Sequence, residues 1–239
     1  WGRAPRGARD FMRAPSASPD AEPPVYQASG AARVARYEAY ARHEADVLVL
    51  AHHADDQAET VLFRVLRGSG LTGLAGVLPV SADGYIRPLL DVTRAEVEAF
   101  LRAHGLAWRE DASNRDLRFA RNRIRRELLP HLAREWNPRI GESFAHLADL
   151  AFEEERWWAA YLKQLAESLF SIRDGGVEVD VREFVRYPVA IQRRLVRHAI
   201  AQVKGDLRRL EFSHIEHVLH LMDGLTGSGR LRLPGGIEI

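Results

Sequence analysis

Five consecutive apolar residues, Val47-Leu48-Val49-Leu50-Ala51, run directly into His52-His53-Ala54-Asp55-Asp56-Gln57-Ala58-Glu59-Thr60. An unbroken apolar run of this kind predicts a short strand buried on both faces of a parallel sheet. The polar block then sits at the strand's carboxyl end, and Gln57 to Leu66 predict a helix. In open parallel sheets with flanking helices, ligands bind beyond the carboxyl ends of the strands, so this junction is the expected active edge.

The rest of the chain is read outward from that junction. Residues 1–28 are rich in Arg, Ala, Pro and Ser and show neither period, which predicts a linker or disordered arm. Ala31 to Tyr37 leads into an amphipathic helix. After the Gln57–Leu66 helix, Gly68, Gly70, Gly73 and Gly76 predict a flexible loop, and Asp83-Gly84 a turn before a short strand at Tyr85-Ile86. Thr93-Arg94-Ala95-Glu96 is a capping box opening a helix towards His104-Gly105. From Arg118 the pattern is mainly helical, over 121–134, 138–170, 188–203 and 211–222. The final Gly236-Ile237-Glu238-Ile239 alternates like a strand. An α/β part followed by a helical part, joined near 135–145, is the expected organisation, without an internal repeat.

The polar block carries the chemistry. With a helix starting near Asp55, Asp56, Glu59 and Thr60 share one face at i, i+3 and i+4. Two carboxylates so placed suit an ammonium group or a magnesium ion, and would not be buried together without such a partner. Read as structure alone, Asp55 caps the helix, Glu59 is solvated and the histidines pack at the strand end. A zinc or manganese hydrolase site is a further alternative, weakened because His52 and His53 are adjacent rather than a helical turn apart. Arg64 and Arg67 lie a turn apart before Gly68-Ser69-Gly70, where backbone amides can meet phosphate; solvated arginines on a plain loop fit equally well. Arg121, Arg123, Arg125 and Arg126 spread round their helix, so at least one faces the protein body. A buried arginine there needs Asp56, Glu59 or a nucleotide as its partner.

Composition narrows the classes. The formal net charge is +1, so bulk charge does not mark a nucleic-acid partner. Lys163 and Lys204 are the only lysines, an arginine bias that genome composition also produces. There is no cysteine, which excludes disulfides, thiolate metal sites and cysteine nucleophiles from these residues. No apolar run approaches the ~20 residues of a membrane span, and no signal-peptide core is present near Trp1. A cytoplasmic location is expected.

The block from Ala51 to Thr60, continued by Arg67-Gly68-Ser69-Gly70-Leu71-Thr72-Gly73-Leu74, resembles the signature of tRNA(Ile)-lysidine synthetases. So do Arg87-Pro88-Leu89-Leu90, Glu110 to Asn114, and Arg121-Asn122-Arg123-Ile124-Arg125. Phe212 to His217 and Leu233-Pro234-Gly235-Gly236 are similar to the family's helical tRNA-binding domain. The resemblance covers about residues 31–239. It implies an α/β fold: a Rossmann-like parallel-sheet domain of the PP-loop ATP pyrophosphatase type over 29–140, here incomplete, then a helical tRNA-binding domain over 141–239.

The implied reaction uses ATP and magnesium to adenylate the wobble cytidine of tRNA(Ile), after which the side-chain amine of free L-lysine displaces AMP. The implied catalytic residues are His53, Asp56, Glu59 and Arg121. Asp56 and Glu59 would hold the lysine ammonium, Arg121 would stabilise charge on phosphate, and His53 would meet nucleotide or leaving group. Asp55, Asn114, Arg64 and Arg67 would bind substrate, Asn114 by orienting Arg121 or the substrate itself. Gly68 and Gly70 would contact the nucleotide, no metal ligand is designated, and a homodimer is allowed.

The family's Ser-Gly-Gly-x-Asp-Ser loop and its His-Val-Asp-His stretch do not occur in these 239 residues. The expectation is therefore an N-terminally truncated chain that lacks the ATP loop and is poorly folded or inactive alone. A sulfur-inserting tRNA thiolase is disfavoured by the missing cysteine. A non-catalytic tRNA-binding remnant and a gene fragment without function are the remaining alternatives.

Overall fold

The computed structural model describes residues 35, 47–81, 84–109, 112–173, 175–224 and 229–239. The expectations for residues 1–28, for Glu110 and Asp111 and for nearly all of the helix near Ala31 lie outside them. Two compact units emerge, Trp1–Glu155 and Arg156–Ile239.

In the first unit the Val47–Ala51 segment is extended and pairs in parallel with the segment around Ile86. Leu50 N donates to Ile86 O at 2.8 Å and Ile86 N to Leu48 O at 3.0 Å. The second side of Ile86 takes an antiparallel partner at Val80, joined through Gly84 at φ +79°. The parallel pairing is as expected; burial on both faces is not. Leu50 is buried, but Val47 and Val49 are 49% and 56% exposed, because no described element covers their side of this short ladder.

Helix α1 (Ala54–Leu66) follows at once, with Asp55 and Asp56 in its first turn and Arg64 in its last, each favourable to the helix dipole. Its buried face is Gln57, Ala58, Glu59, Val61 and Leu62. The glycine-rich segment beyond it is not a loose loop. Arg64 donates to the carbonyls of Gly73 and Gly76, each at 2.7 Å, and the Gln57 amide brackets Val77, accepting from its N at 2.6 Å and donating to its O at 3.1 Å. Gly76 is obligatory: φ is +62°, and a Cβ would stand 2.4 Å from the Gln57 side chain. A single turn, α2 (Leu71–Leu74), forms within this segment. Helix α3 (Arg94–Ala103) begins with the expected box: Thr93 Oγ1 accepts from Glu96 N, and Glu96 accepts from Thr93 N.

The helix expected over 121–134 is broken in its hydrogen bonding. It runs as α4 (Ala120–Arg123), a π turn (Ile124–Leu128) and α5 (Leu129–Glu135), with Leu129 N bonded five residues back to Ile124 O. Pro130 accounts for this. It has no N–H, and its ring excludes the carbonyl four residues back, so the ladder widens before it. Helix α6 (Ile140–Leu169) then spans the division between the units.

The second unit has an apolar core of Leu162, Ala166, Phe184, Leu195, Val196, Ile200, Ile215, Val218, Leu219, Leu233 and Ile237. Helices α8 (Val189–Lys204) and α9 (Phe212–Asp223) match the expected spans to within a residue, and a one-turn α7 (Val181–Phe184) precedes them. An antiparallel hairpin of β1 (Phe170–Arg173) and β2 (Gly176–Val179) was not legible in the sequence, because Phe170 continues the helical apolar spacing of α6. The terminal alternation does form a strand: β4 (Ile237–Glu238) pairs with β3 (Arg232–Leu233). No helix among the described residues is long and apolar enough to cross a membrane.

Candidate active site

Where the parallel strand ends, the chain turns at once into α1, with His53 as its N-cap rather than Asp55. Asp56 reaches back to accept from His53 N at 3.1 Å, which fixes its carboxylate over the first turn. Glu59, one turn on, is 1% exposed, so the solvated reading of this residue fails. A buried carboxylate demands cationic partners, and two arginines supply them.

Arg121 Nε donates to Glu59 Oε2 at 3.0 Å, and its Nη2 to Asp56 Oδ1 at 3.2 Å. Arg125 binds the same pair. Its Nε is hydrogen-bonded to Glu59 Oε1, its Nη2 donates to Glu59 Oε2 at 2.9 Å, and the same nitrogen reaches Asp56 Oδ1 at 3.1 Å. The expected i, i+3 carboxylate face on α1 thus meets an i, i+4 arginine face running from α4 into the π turn. Arg125 was not singled out from the sequence; its four-residue spacing from Arg121 was the available signal. The Arg121 side chain is 44% exposed and that of Arg125 25%, so Arg121 is the one that offers a guanidinium outward.

His53 lies 3.4 Å from Asp55 through Nδ1 and 3.4 Å from Asp56 through Nε2. The Asp55 carboxylate, helped by Asp56 and opposed by burial, raises the His53 pKa above its ordinary 6.5. The same contact, with a backbone bond from Arg94, lowers Asp55 to about 2. Asp55 accepts from Arg94 N at 2.8 Å and so ties the start of α3 to the start of α1.

The other sequence candidates take supporting places. Arg64 is spent on the glycine-segment carbonyls. The guanidinium of Arg67 lies over the Phe63 ring, 5.3 Å from its centroid. The carbonyl of Asn114 accepts from Arg126 Nε at 3.0 Å, rather than from Arg121. Gly68 donates its N–H to Val65 O at 2.9 Å, so phosphate contact there would require that bond to be exchanged; Gly70 caps α2. Arg87 is buried and donates to Leu78 O at 2.7 Å.

Among the described residues no three His, Asp or Glu side chains converge as metal ligands, and Asp56 and Glu59 are both paired with arginine. Nor does the start of α1 suit a phosphate, since Ala54 N is bonded to Val92 O and two aspartates flank it. A phosphate fits the site through the guanidinium of Arg121.

Comparison with known proteins adds to this geometry. A PP-loop domain model matches residues 17–132, beginning earlier than the boundary at 29 drawn from composition, and a TilS substrate binding domain model matches residues 179–238. The tRNA(Ile)-lysidine synthase of Solibacter usitatus is 48% identical over 199 residues, covering 83% of this chain and 45% of that protein. The enzyme of the same name from Geobacter sulfurreducens is 44% identical over 197 residues, covering 82% and 42%. That from Thermosynechococcus vestitus is 38% identical over 193 residues, covering 79% and 55%. The chain thus spans about half the length of the curated relatives it matches.

Proposed function

The chain belongs to the tRNA(Ile)-lysidine synthase family, and on that premise we propose that it serves the ATP-dependent joining of free L-lysine to the wobble cytidine of tRNA(Ile), in the cytoplasm, through an adenylated tRNA. The PP-loop match supports ATP as co-substrate, and the substrate-binding match supports tRNA. The observation that carries the reading is the four-membered ion-pair centre of Asp56, Glu59, Arg121 and Arg125 at the carboxyl end of the parallel strand.

In this reading ATP, when bound, supplies the adenylyl group. Glu59 and Asp56 hold Arg121 and Arg125 in fixed planes, so the cation is oriented before charge develops on phosphate. Arg121, the more exposed of the two, faces the phosphate. His53, its pKa raised by Asp55, is protonated over a wider pH range than a free imidazole and donates to the departing group. Since both carboxylates are already taken by arginine, a lysine ammonium reaches Asp56 only in competition with a guanidinium. Asp56 is then the better candidate for that contact, its side chain being 13% exposed against 1% for Glu59.

The test is lysine-dependent AMP release, with transfer of labelled lysine to tRNA(Ile), by the purified chain. Both signals together support ligation; lysine transfer without AMP sinks the adenylate route. A second reading, tRNA binding without chemistry, is favoured by the fully paired carboxylates. Salt-sensitive tRNA binding with no AMP release would select it.

A further inference from the structure

A second cleft, of about 580 Å³, is built on the same helical segments as the ion-pair centre and has no part in the reading above. Phe63, Arg67, Arg123, Ile124, Glu127 and His131 define it. Ile124 is buried in its floor, while Arg67, Arg123, Glu127 and His131 are exposed around it. The Arg67 guanidinium lies over the Phe63 ring. Two arginines against one glutamate leave this lining at +1.

We propose that this cleft receives the nucleotide neighbouring the reacting base on an RNA strand, its base stacked on the Phe63–Arg67 pair and its phosphate held by Arg123. The proposal rests on the reading that the chain acts on RNA, though not on ligation. An aromatic ring with an arginine laid on it binds any base through the π face, without sequence preference. Arg123 Nη1 donates to the carbonyls of Leu117 and Arg118 at 2.8 and 3.0 Å, which anchors the guanidinium, and its remaining N–H groups match phosphate oxygens. The volume falls in the ~300–1,000 Å³ range of sites for single small ligands. Placement joins the cleft to the centre along α1: Phe63 follows Glu59 by one helical turn, about 6 Å along the axis, and so lies on the same side of that helix. A strand with one nucleotide at Arg121 therefore has its neighbour within reach of the cleft. The net positive lining and the Phe63 ring favour RNA over an acidic peptide.

Fluorescein-labelled hexauridylate, titrated into the 239-residue chain at several salt concentrations, tests this. The double variant Arg67→Gln/Arg123→Gln should weaken binding about tenfold or more and reduce the salt slope by about 0.7, the one phosphate contact made by Arg123 on a single strand. Phe63→Leu keeps the apolar volume and should weaken binding about tenfold with the slope unchanged. Glu127→Gln should tighten binding a few-fold. Parent-like binding and slope in the double variant would overturn the proposal, as would failure of the unmodified chain to bind the probe. Self-association lost in the double variant, with hexauridylate binding unchanged, would give the cleft to a second copy and overturn it too. If the probe behaves as expected while no AMP is released with tRNA and lysine, ligation fails and the cleft stands. AMP release with parent-like probe binding in the double variant leaves ligation standing without the cleft.

Discussion

The two units bury different things. In the second, the interior is a contiguous apolar cluster, with Phe184 and Leu195 at 1% and 0% exposure. In the first, Gln57, Glu59 and Arg87 are buried together with apolar residues, and Glu59 is as inaccessible as Phe184. Apolar burial stabilises directly, at about 25 cal/mol per Å². A buried ion pair barely offsets its own desolvation, although losing one partner is costly. The second interior is thus explained by stability, whereas the centre around Glu59 calls for a reason beyond stability, and orientation of Arg121 is the reason proposed for it.

The largest expected effect lies in the apolar unit. Phe184→Ala should lower hydrogen-exchange protection in α8 and α9 by about 4 kcal/mol, from loss of transfer energy and an unfilled cavity. A loss below about 1 kcal/mol would mean that the cluster is loosely packed, and the contrast between the units would collapse.

Glu59→Gln comes next. It leaves two guanidiniums sharing Asp56, and should reduce protection in α1 and the Ile124–Leu128 turn by about 3 kcal/mol. That is the low end for a broken buried pair, because both arginines partly reach water. Glu59→Leu/Arg125→Leu should recover much of the loss, with Arg121 still paired to Asp56, while abolishing any lysine-dependent AMP release. Stability and activity both surviving the double change would show that the pair is neither structural nor functional.

How much of this was legible follows the same division. The Asp56–Glu59 face and the need for an arginine partner could be read from spacing, because helical period fixes which side chains share a face. The second arginine was missed because four arginines in six residues conceal a two-residue face. The roles of Gln57 and Arg64 as clamps on the glycine segment depend on partners 20 and up to 12 residues away, and nothing local announces them. The π turn was missed because Pro130 reads as a possible first-turn residue as well as an interruption. The β1–β2 hairpin was missed because its apolar residues extend the period of α6, and only the turn through Gly175 at φ +76° separates them.

A smaller effect separates the units by pH. Asp55 is lowered from 3.8 to about 2 by His53 and by the Arg94 amide. A depressed carboxylate contributes stability that is present above its unfolded pKa and lost as pH falls through the folded value, here between about 4 and about 2. Because Asp55 is half exposed, screening reduces this to the order of 1 kcal/mol. The raised pKa of His53 acts in the opposite sense: its contribution is full below 6.5 and disappears as pH rises through the higher folded value. Exchange protection in α1 should therefore fall on both sides of the range from about 4 to 6.5, and Asp55→Asn should flatten both limbs. An unchanged acid limb in Asp55→Asn would place its origin elsewhere.

The smallest effect belongs to the ion pair of the second unit, which resembles the centre in geometry and differs in setting. Arg193 holds Glu216 through two bonds, Nε to Oε1 at 2.7 Å and Nη2 to Oε2 at 2.9 Å, and its guanidinium also lies over Phe212. The distances are comparable to those at Glu59, but both partners reach solvent, at 37% and 31% exposure. Solvent screening and the entropy of holding two long side chains cancel most of such an attraction. Glu216→Gln should therefore leave α8 and α9 protection close to that of the parent, with less dependence on salt. A loss matching that of Glu59→Gln would show that bidentate geometry, rather than burial, sets the strength of these pairs, and the case for a functional reason behind the buried centre would go with it.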